Sequence, residues 1–574
     1  MLIRSNIKIL FTAYCILLTA YSFSQEYRNS GFVKPMNLPF NLAGSFGEPR
    51  PDHFHSGIDI KTNGVEGQPV FAIGDGYISR IRVSPYGYGK AIYITHTNGF
   101  TSVYGHLSTF YGAIEKYIHA QHYAQKKSEL DLTLDATIFP VKQNDTIAFS
   151  GNTGGSTAPH LHFEIRNTKT EHALNPLDFY PKEFYVDTIP PQINKVKILK
   201  SFDDLYFSSN IIYNLQNENN YYTNADSIII DNFPSYFISL EGFDKQDNSK
   251  NKNGIKKIEV FQKDSIVFKY DLTEIDFNKT RMCNAFVDYN EMINDSGYFY
   301  NCYQLNGNTL SIYSSLNKGF FRINNDEKQH LDIFCYDYNN NQTVIKLNIL
   351  RRDAIKYQDS SAISNYTNFT KYYENYTNNL KIKFQENTFY NNVIVNLNHQ
   401  KHNDKNILSE KYDAANYYKT KLPLHKPAKI EFKSSIKKSR NKIVIVRQDD
   451  KGKETALKTT FDKAKFYAET KELGTFYLKH DTTKPAVEIL NLNSEFITIK
   501  IADNLSGINT YNGYVDNKWV NFYYDAKNDL LQYHFDEYCT KGEHILKIIV
   551  TDKVGNKNIV QHKFIPKFNK SKIH

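Results

Sequence analysis

A chain of 574 residues exceeds one ordinary hydrophobic core, and at roughly 150 residues per domain it predicts about three or four domains. Hydrophobic residues make up 40% and aromatic residues 14%, enough for packed cores, which excludes global disorder despite a mean hydropathy of -0.55. The formal net charge of +9 is mild for this length, and lysines are interleaved with Asp, Glu and Asn instead of forming a basic stripe, so no nucleic-acid partner is expected.

The first segment, 1–24, reads as a secretory signal. Arg4 and Lys8 precede a mostly apolar run from Ile9 to Ala20, and Ser22-Phe23-Ser24 supplies small residues where a signal peptidase cuts. The run is shorter than the ~20 apolar residues a span needs, so cleavage near Ser24 and export to the periplasm, envelope or medium are expected in preference to a retained anchor. Cys15 has no small-residue lipobox before it, so no lipid anchor is expected. Cys283, Cys302, Cys335 and Cys539 then remain, with no pairing assigned.

Residues 25–186 form a Gly-rich first domain of short strands. Pro49, Pro51 and Gly57 make His55-Ser56-Gly57-Ile58-Asp59 a loop that enters a strand. Val70–Ile73, Tyr77–Val83 and Ala91–Ile94 read as strands of an antiparallel sheet, and Asn98-Gly99 as a hairpin turn. Alternation from Phe100 puts Ser102, Tyr104 and His106 on one face, from which His106 projects toward the site. Ile114, Tyr117 and Ile118 predict a helix from about Tyr111 to Gln125, on which His119 and His122 are expected to be solvated. Ser150-Gly151-Asn152-Thr153-Gly154-Gly155-Ser156 lacks the Gly-Lys-Ser/Thr of a phosphate loop and is expected to form a groove wall. As a strand, Ala158–Arg166 points Leu161, Phe163 and Ile165 into a core and His160, His162, Glu164 and Arg166 to the other face.

The later segments read as 187–350, an Ig-like β domain, 351–480, a β-rich domain, and 481–574, a second Ig-like β domain. Asp187-Thr188-Ile189-Pro190-Pro191 and Asp481-Thr482-Thr483-Lys484-Pro485 are similar junctions, stiffened by proline. Tyr236-Phe237-Ile238 leading to Asp244 and Gly254-Ile255 is echoed by Glu495-Phe496-Ile497 leading to Asp503 and Gly507-Ile508. His330–Ile333 leading to Asp337 and Asn341 is likewise echoed by His544–Lys547 leading to Asp552 and Asn556, as repeated sandwich modules would produce. Almost no helix is expected beyond Asp187, and the Tyr/Asn-rich stretch from Ser360 to Asn379 reads as a linker.

His55, Asp59, His160 and His162 offer the imidazoles and carboxylate of a catalytic zinc site, in which three protein ligands leave a fourth position for water. From spacing alone, one of His160 and His162 is a ligand and the other stands beside the reacting water. His53 is expected to be a loop residue, and Glu164 a salt-bridge partner, because no His-Glu-x-x-His helix is present.

Residues about 40 to 180 resemble the lysostaphin-type, LytM-like zinc metallopeptidases, which are peptidoglycan endopeptidases. The resemblance rests on Gly44-Ser45-Phe46-Gly47, His55–Ile60, Val70-Phe71-Ala72 with Gly74-Asp75-Gly76, Tyr104–Ser108, Ser150–Gly154 and Pro159–Glu164. It implies that His55, Asp59 and His162 bind Zn2+ and that His106 and His160 are the catalytic histidines that do not. The fold it implies is mainly β, an antiparallel peptidase domain followed by two or three Ig-like β-sandwich domains. Its implied activity is hydrolysis of peptide bonds in peptidoglycan by a zinc-activated water, with peptidoglycan as partner and the C-terminal modules available to a protein partner. The alternatives are a non-catalytic LytM-like domain that binds peptidoglycan or activates another hydrolase, and a peptidase whose targets are surface proteins. A helix-like insertion from about Gly112 to Pro140 departs from the shortest family members.

Overall fold

In a computed structural model the chain is mainly β and almost entirely antiparallel, as the strand alternation predicts. The structure describes residues 30–567 except 202–208, 219–220, 225–226, 232, 248, 316, 353–366, 417–420 and 493–494. The signal segment lies outside the described residues, and among those described no helix is long and apolar enough to cross a membrane.

In the first domain the strand expected at Val70–Ile73 lies instead, as Pro69–Phe71, in a separate three-stranded sheet with Thr109–Phe110 and Thr146–Phe149, and the domain is built around one large sheet. Its strands are β1 (Leu42–Gly44), β2 (Ile58–Lys61), β3 (Gly76–Val83), β4 (Lys90–His96), β5 (Phe100–Leu107), β6 (Leu130–Thr133) and β7 (His160–Asn167). Their order across the sheet is β1-β2-β7-β5-β4-β3-β6. The two sequence clusters therefore become neighbours: His162 lies opposite Asp59 on β2 and opposite Gly105 on β5. Leu161, Phe163 and Ile165 are fully buried on the core face with Ile58 and Ile60, each contributing roughly 1.5–3 kcal/mol by leaving water. The period of two that buries them presents His160, His162, Glu164 and Arg166 on the opposite face.

One expectation is corrected here. Tyr104 lies opposite Phe163 and packs on it in the core, with Ser102 bonded to its hydroxyl, so the face that Ser102 and Tyr104 share points away from the site. Strict alternation would bury His106 there too. It escapes because the pairing of β4 with β5 shifts register and His106 adopts a left-handed φ of 59°, which turns its ring to the other face.

The predicted helix is α1 (Ala113–Gln125), whose inner face buries Ile114, Ile118 and His122. His122 is thus not solvated as expected; it packs inward with Nδ1 on the Lys127 carbonyl at 2.7 Å. His119 is half-exposed beside Asp536.

Residues 192–351 form a five-stranded and an eight-stranded sheet, and their apolar residues are continuous with the core of the first domain. Glu274–Ile275 even pairs with Ala173–Leu174. Short helices at Cys283–Phe286 and Tyr289–Ile293 interrupt the strands, the second capped by Asp288, whose side chain accepts from Asn290 and Glu291 N–H. Two five-stranded sheets between Tyr373 and His480 enclose a separate core. The stretch expected as a linker from Ser360 to Asn379 contributes a strand, Tyr373–Tyr376, because Tyr373 can pack on Phe384; residues 360–366 lie outside the described residues.

A final pair of four-stranded sheets spans Ala486 to Phe564 and returns to the first domain. Lys527 Nζ donates to the carbonyls of Asn152 and Ser156. Tyr123 of α1 stacks on Tyr538 at 4.3 Å and meets the edge of Trp519 at 5.4 Å. The C-terminal module therefore rests on the Gly151–Ser156 loop and on α1.

Candidate metal centre

The site forms where the loop before β2 crosses β7. Gly57 permits the approach: a Cβ there would lie 2.3 Å from the Phe163 carbonyl oxygen, so any larger residue would push His55 and Asp59 away from β7.

Hydrogen positions follow from the partners of each ring. His55 Nδ1 lies 2.7 Å from the Ser45 carbonyl, which can only accept, so Nδ1 carries the proton and Nε2 keeps its lone pair. His162 Nε2 donates to Glu164 Oε1 at 2.8 Å, so its lone pair is on Nδ1. Arg50 Nη2 holds Asp59 Oδ2 at 2.7 Å and leaves Oδ1 to face the imidazoles. The three remaining atoms converge, with Asp59 Oδ1 3.0 Å from His55 Nε2 and 2.9 Å from His162 Nδ1, and the two nitrogens 3.0 Å apart. With both rings neutral these are three lone pairs, which repel one another unless a proton or a metal ion sits among them. Neutral nitrogen plus carboxylate oxygen is the donor set of zinc, and a triangle of this size fits bonds of about 2.0–2.2 Å.

Electrostatics agree. Burial and the nearby Arg50 push His55 down to about 4, so it is neutral at physiological pH. At His162 burial opposes charge, but hydrogen bonds from the ring to the Asp59 and Glu164 carboxylates outweigh it and carry the metal-free ring up to about 9. The site thus demands positive charge at His162 Nδ1, which a metal ion supplies in place of a proton.

His160 and His106 flank this triangle without joining it. His160 Nδ1 lies 2.8 Å from the Ala158 carbonyl, and its Nε2 is buried with no hydrogen-bond partner, 3.4 Å from Asp59 Oδ1. His106 Nδ1 lies 2.8 Å from the Thr153 carbonyl, and its ring meets His160 edge-on at 4.7 Å. Burial and the His162 and His160 imidazoles push His106 down to about 3, leaving it neutral. An orphaned, buried imidazole nitrogen aimed at a metal triangle is what a group beside a reacting water requires.

All five residues singled out in the sequence therefore meet at one place, while His53, expected in a loop, sits on a short strand opposite Arg50, exposed, with its ring on the Pro51 carbonyl. Glu164 does pair with Arg166, at 2.6 Å, and also orients His162, a task that sequence reasoning missed. Arg50, Tyr88 and Ser56 were missed as well. Tyr88 and Ser56 both donate to Glu164 Oε1, and Tyr88 stacks on the His162 ring at 4.9 Å. Only the two-residue spacing of His162 and Glu164 on one strand face carried a signal for any of them.

Residues 53–123 match the family described as Peptidase family M23, and residues 364–481 match a Zu5-like domain. Over 112 residues the chain is 35% identical to the DD-carboxypeptidase/endopeptidase Mpg of Neisseria meningitidis, covering 20% of each chain. It is 28% identical over 136 residues to the peptidoglycan DD-endopeptidase ShyB of Vibrio cholerae, covering 23% of this chain and 26% of that one. The chain thus spans only a fifth to a quarter of the length of these relatives. Among solved structures, the catalytic domain of lysostaphin from Staphylococcus simulans is 29% identical, covering 24% of this chain and 87% of that one with a TM-score of 0.18.

Proposed function

We propose, from the match of residues 53–123 to Peptidase family M23, that this chain is an exported zinc endopeptidase that hydrolyses peptide bonds in the stems or cross-links of peptidoglycan. The observation that carries this reading is the complete donor set: three converging lone pairs, with the buried, unpartnered Nε2 of His160 beside them.

His55 Nε2, Asp59 Oδ1 and His162 Nδ1 would hold the metal. Zinc bound there supplies a Lewis acid for the scissile carbonyl and lowers the pKa of water toward ~7. Ser45, Glu164 and Arg50 keep the three ligand atoms pointed inward, so little reorganisation is needed. His160 and His106 each have Nδ1 on a backbone carbonyl and offer Nε2 to accept the proton of the attacking water and return it to the leaving amine. Peptidoglycan is the proposed partner and the cell envelope or its exterior the proposed location. The modules after Asp187 are proposed to position the catalytic domain on the wall or on a protein partner.

Digestion of purified peptidoglycan by the zinc-loaded chain tests the proposal. New amine ends should appear, vanish with chelator, and be absent with His162→Ala. Wall binding without new amine ends would favour the non-catalytic binder, and cleavage confined to surface proteins would favour the other alternative.

A further inference from the structure

Two further groups of carboxylates share no residue with the zinc triangle, one at the start of each repeated module. Asp187, Asp244 and Asp337 bring ligand atoms within 4.8 Å of one another, and so do Asp481, Asp503 and Asp552. Among the described residues no Lys, Arg or His forms an ion pair with any of the six.

The two groups are built alike. Asp337 Oδ1 accepts the N–H groups of Asn339 and Asn341, and its Oδ2 accepts Asn341 Nδ2 at 2.7 Å. Asp552 Oδ1 accepts those of Val554 and Asn556, and its Oδ2 accepts Asn556 Nδ2 at 2.6 Å. The same asparagine reaches the carbonyl of the junction aspartate, Asp187 at 2.9 Å and Asp481 at 3.0 Å. Asp244 and Asp503 each follow a strand directly, Ser235–Phe243 and Phe496–Ala502.

Polar atoms at both places have nothing to bond. Asp244 is 1% exposed and its Oδ1 has no partner; Asn253, whose backbone pairs with Asp244 in both directions, has both side-chain amide atoms unpartnered. In the second group Oδ1 of Asp481 and Oδ1 of Asp503 are unpartnered. So is the hydroxyl of Ser506, which is 4% exposed and is held at the group by its N–H on Asp481 Oδ2. A buried serine hydroxyl and buried carboxylate oxygens left without partners lose hydration with no return, unless a ligand supplies it.

We propose that each triad is a calcium site, so that the chain carries two Ca2+ ions in addition to zinc. All the donors are oxygen, with no Cys or His, which selects a hard cation over zinc. Calcium takes six to eight oxygens at about 2.3–2.6 Å in a flexible shell that carboxylates, carbonyls and hydroxyls can share, whereas magnesium demands a tighter octahedron and keeps most of its waters. Each ion would tie the aspartate that opens a module to the loops at that module's near end, and so set the module's angle to the preceding one.

Calorimetric titration of the zinc-loaded full chain with CaCl2 tests this without reference to activity. Two calcium ions should bind per chain, with Asp244→Asn and Asp503→Asn each binding one and the double variant none. Absence of binding at millimolar calcium, or two ions retained in both single variants, overturns the proposal. Far-UV circular dichroism in chelator checks that the isosteric variants fold. If Asp503→Asn does not, Ser506→Ala removes one hydroxyl only and should weaken one of the two sites about fivefold, the loss of one ligand contact; unchanged affinity at both sites counts against it.

Discussion

Glu164 stands behind His162: its Oε1 accepts the Nε2–H at 2.8 Å and thereby turns Nδ1 toward Asp59 and His55. The carboxylate is itself fixed by Arg166, Tyr88 and Ser56. Replacing Glu164 with Gln keeps the shape but removes the charge that holds this tautomer. Zinc affinity should fall about 10–100-fold, as measured by competition with a chromophoric chelator. Unchanged affinity would show that packing alone orients His162.

His106 lies outside the ligand triangle, so His106→Asn should retain full zinc occupancy while kcat falls roughly 10²–10⁴-fold. Burial and the neighbouring His162 and His160 rings disfavour its resting cation and push its pKa down to about 3, so before the reaction the ring is neutral and free to accept. The acid limb of kcat/KM at higher pH must therefore belong to another group, and any residual activity of His106→Asn should keep that limb in place. A displaced limb would mean that His106 titrates in the working range.

Gly57 is predicted to tolerate no side chain. A Cβ there overlaps the Phe163 carbonyl, so Gly57→Ala must force β2 from β7, at a cost of about 1–3 kcal/mol. Thermal denaturation should show the loss of stability, and zinc content should fall with it, since both imidazole ligands flank that contact.

Cys283, Cys302, Cys335 and Cys539 are free and buried. Burial pushes the Cys283 and Cys539 thiols up to about 12, so almost no thiolate exists at pH 8. An aromatic disulfide reagent should find these four unreactive in the native chain and reactive after denaturation. Fast native labelling of any of them would contradict the packing.

The five site residues were legible in the sequence because each sits within a short motif whose spacing survives folding. Period-two alternation placed His160 and His162 correctly on the face away from Leu161 and Phe163. The same rule misplaced Ser102 and Tyr104, which turn to the core while His106 alone reaches the site, because a register shift and one left-handed residue are invisible to a periodic pattern. Arg50 reaches the site from a short strand, Pro49–Arg50, and Tyr88 from the turn between β3 and β4, and only the folded sheet brings them to β2 and β7. The repeat of Asp244 and Asp337 in Asp503 and Asp552 was visible as text, but convergence with Asp187 and Asp481 is tertiary.

The central claim is that His55 Nε2, Asp59 Oδ1 and His162 Nδ1 share one zinc ion. Anomalous diffraction at the zinc edge from crystals of the purified chain tests it most directly. A single strong peak about 2.0–2.2 Å from all three atoms, with His160 and His106 beyond bonding distance, is the predicted result. Zinc bound elsewhere, or coordinated by His160 in place of His162, would contradict it.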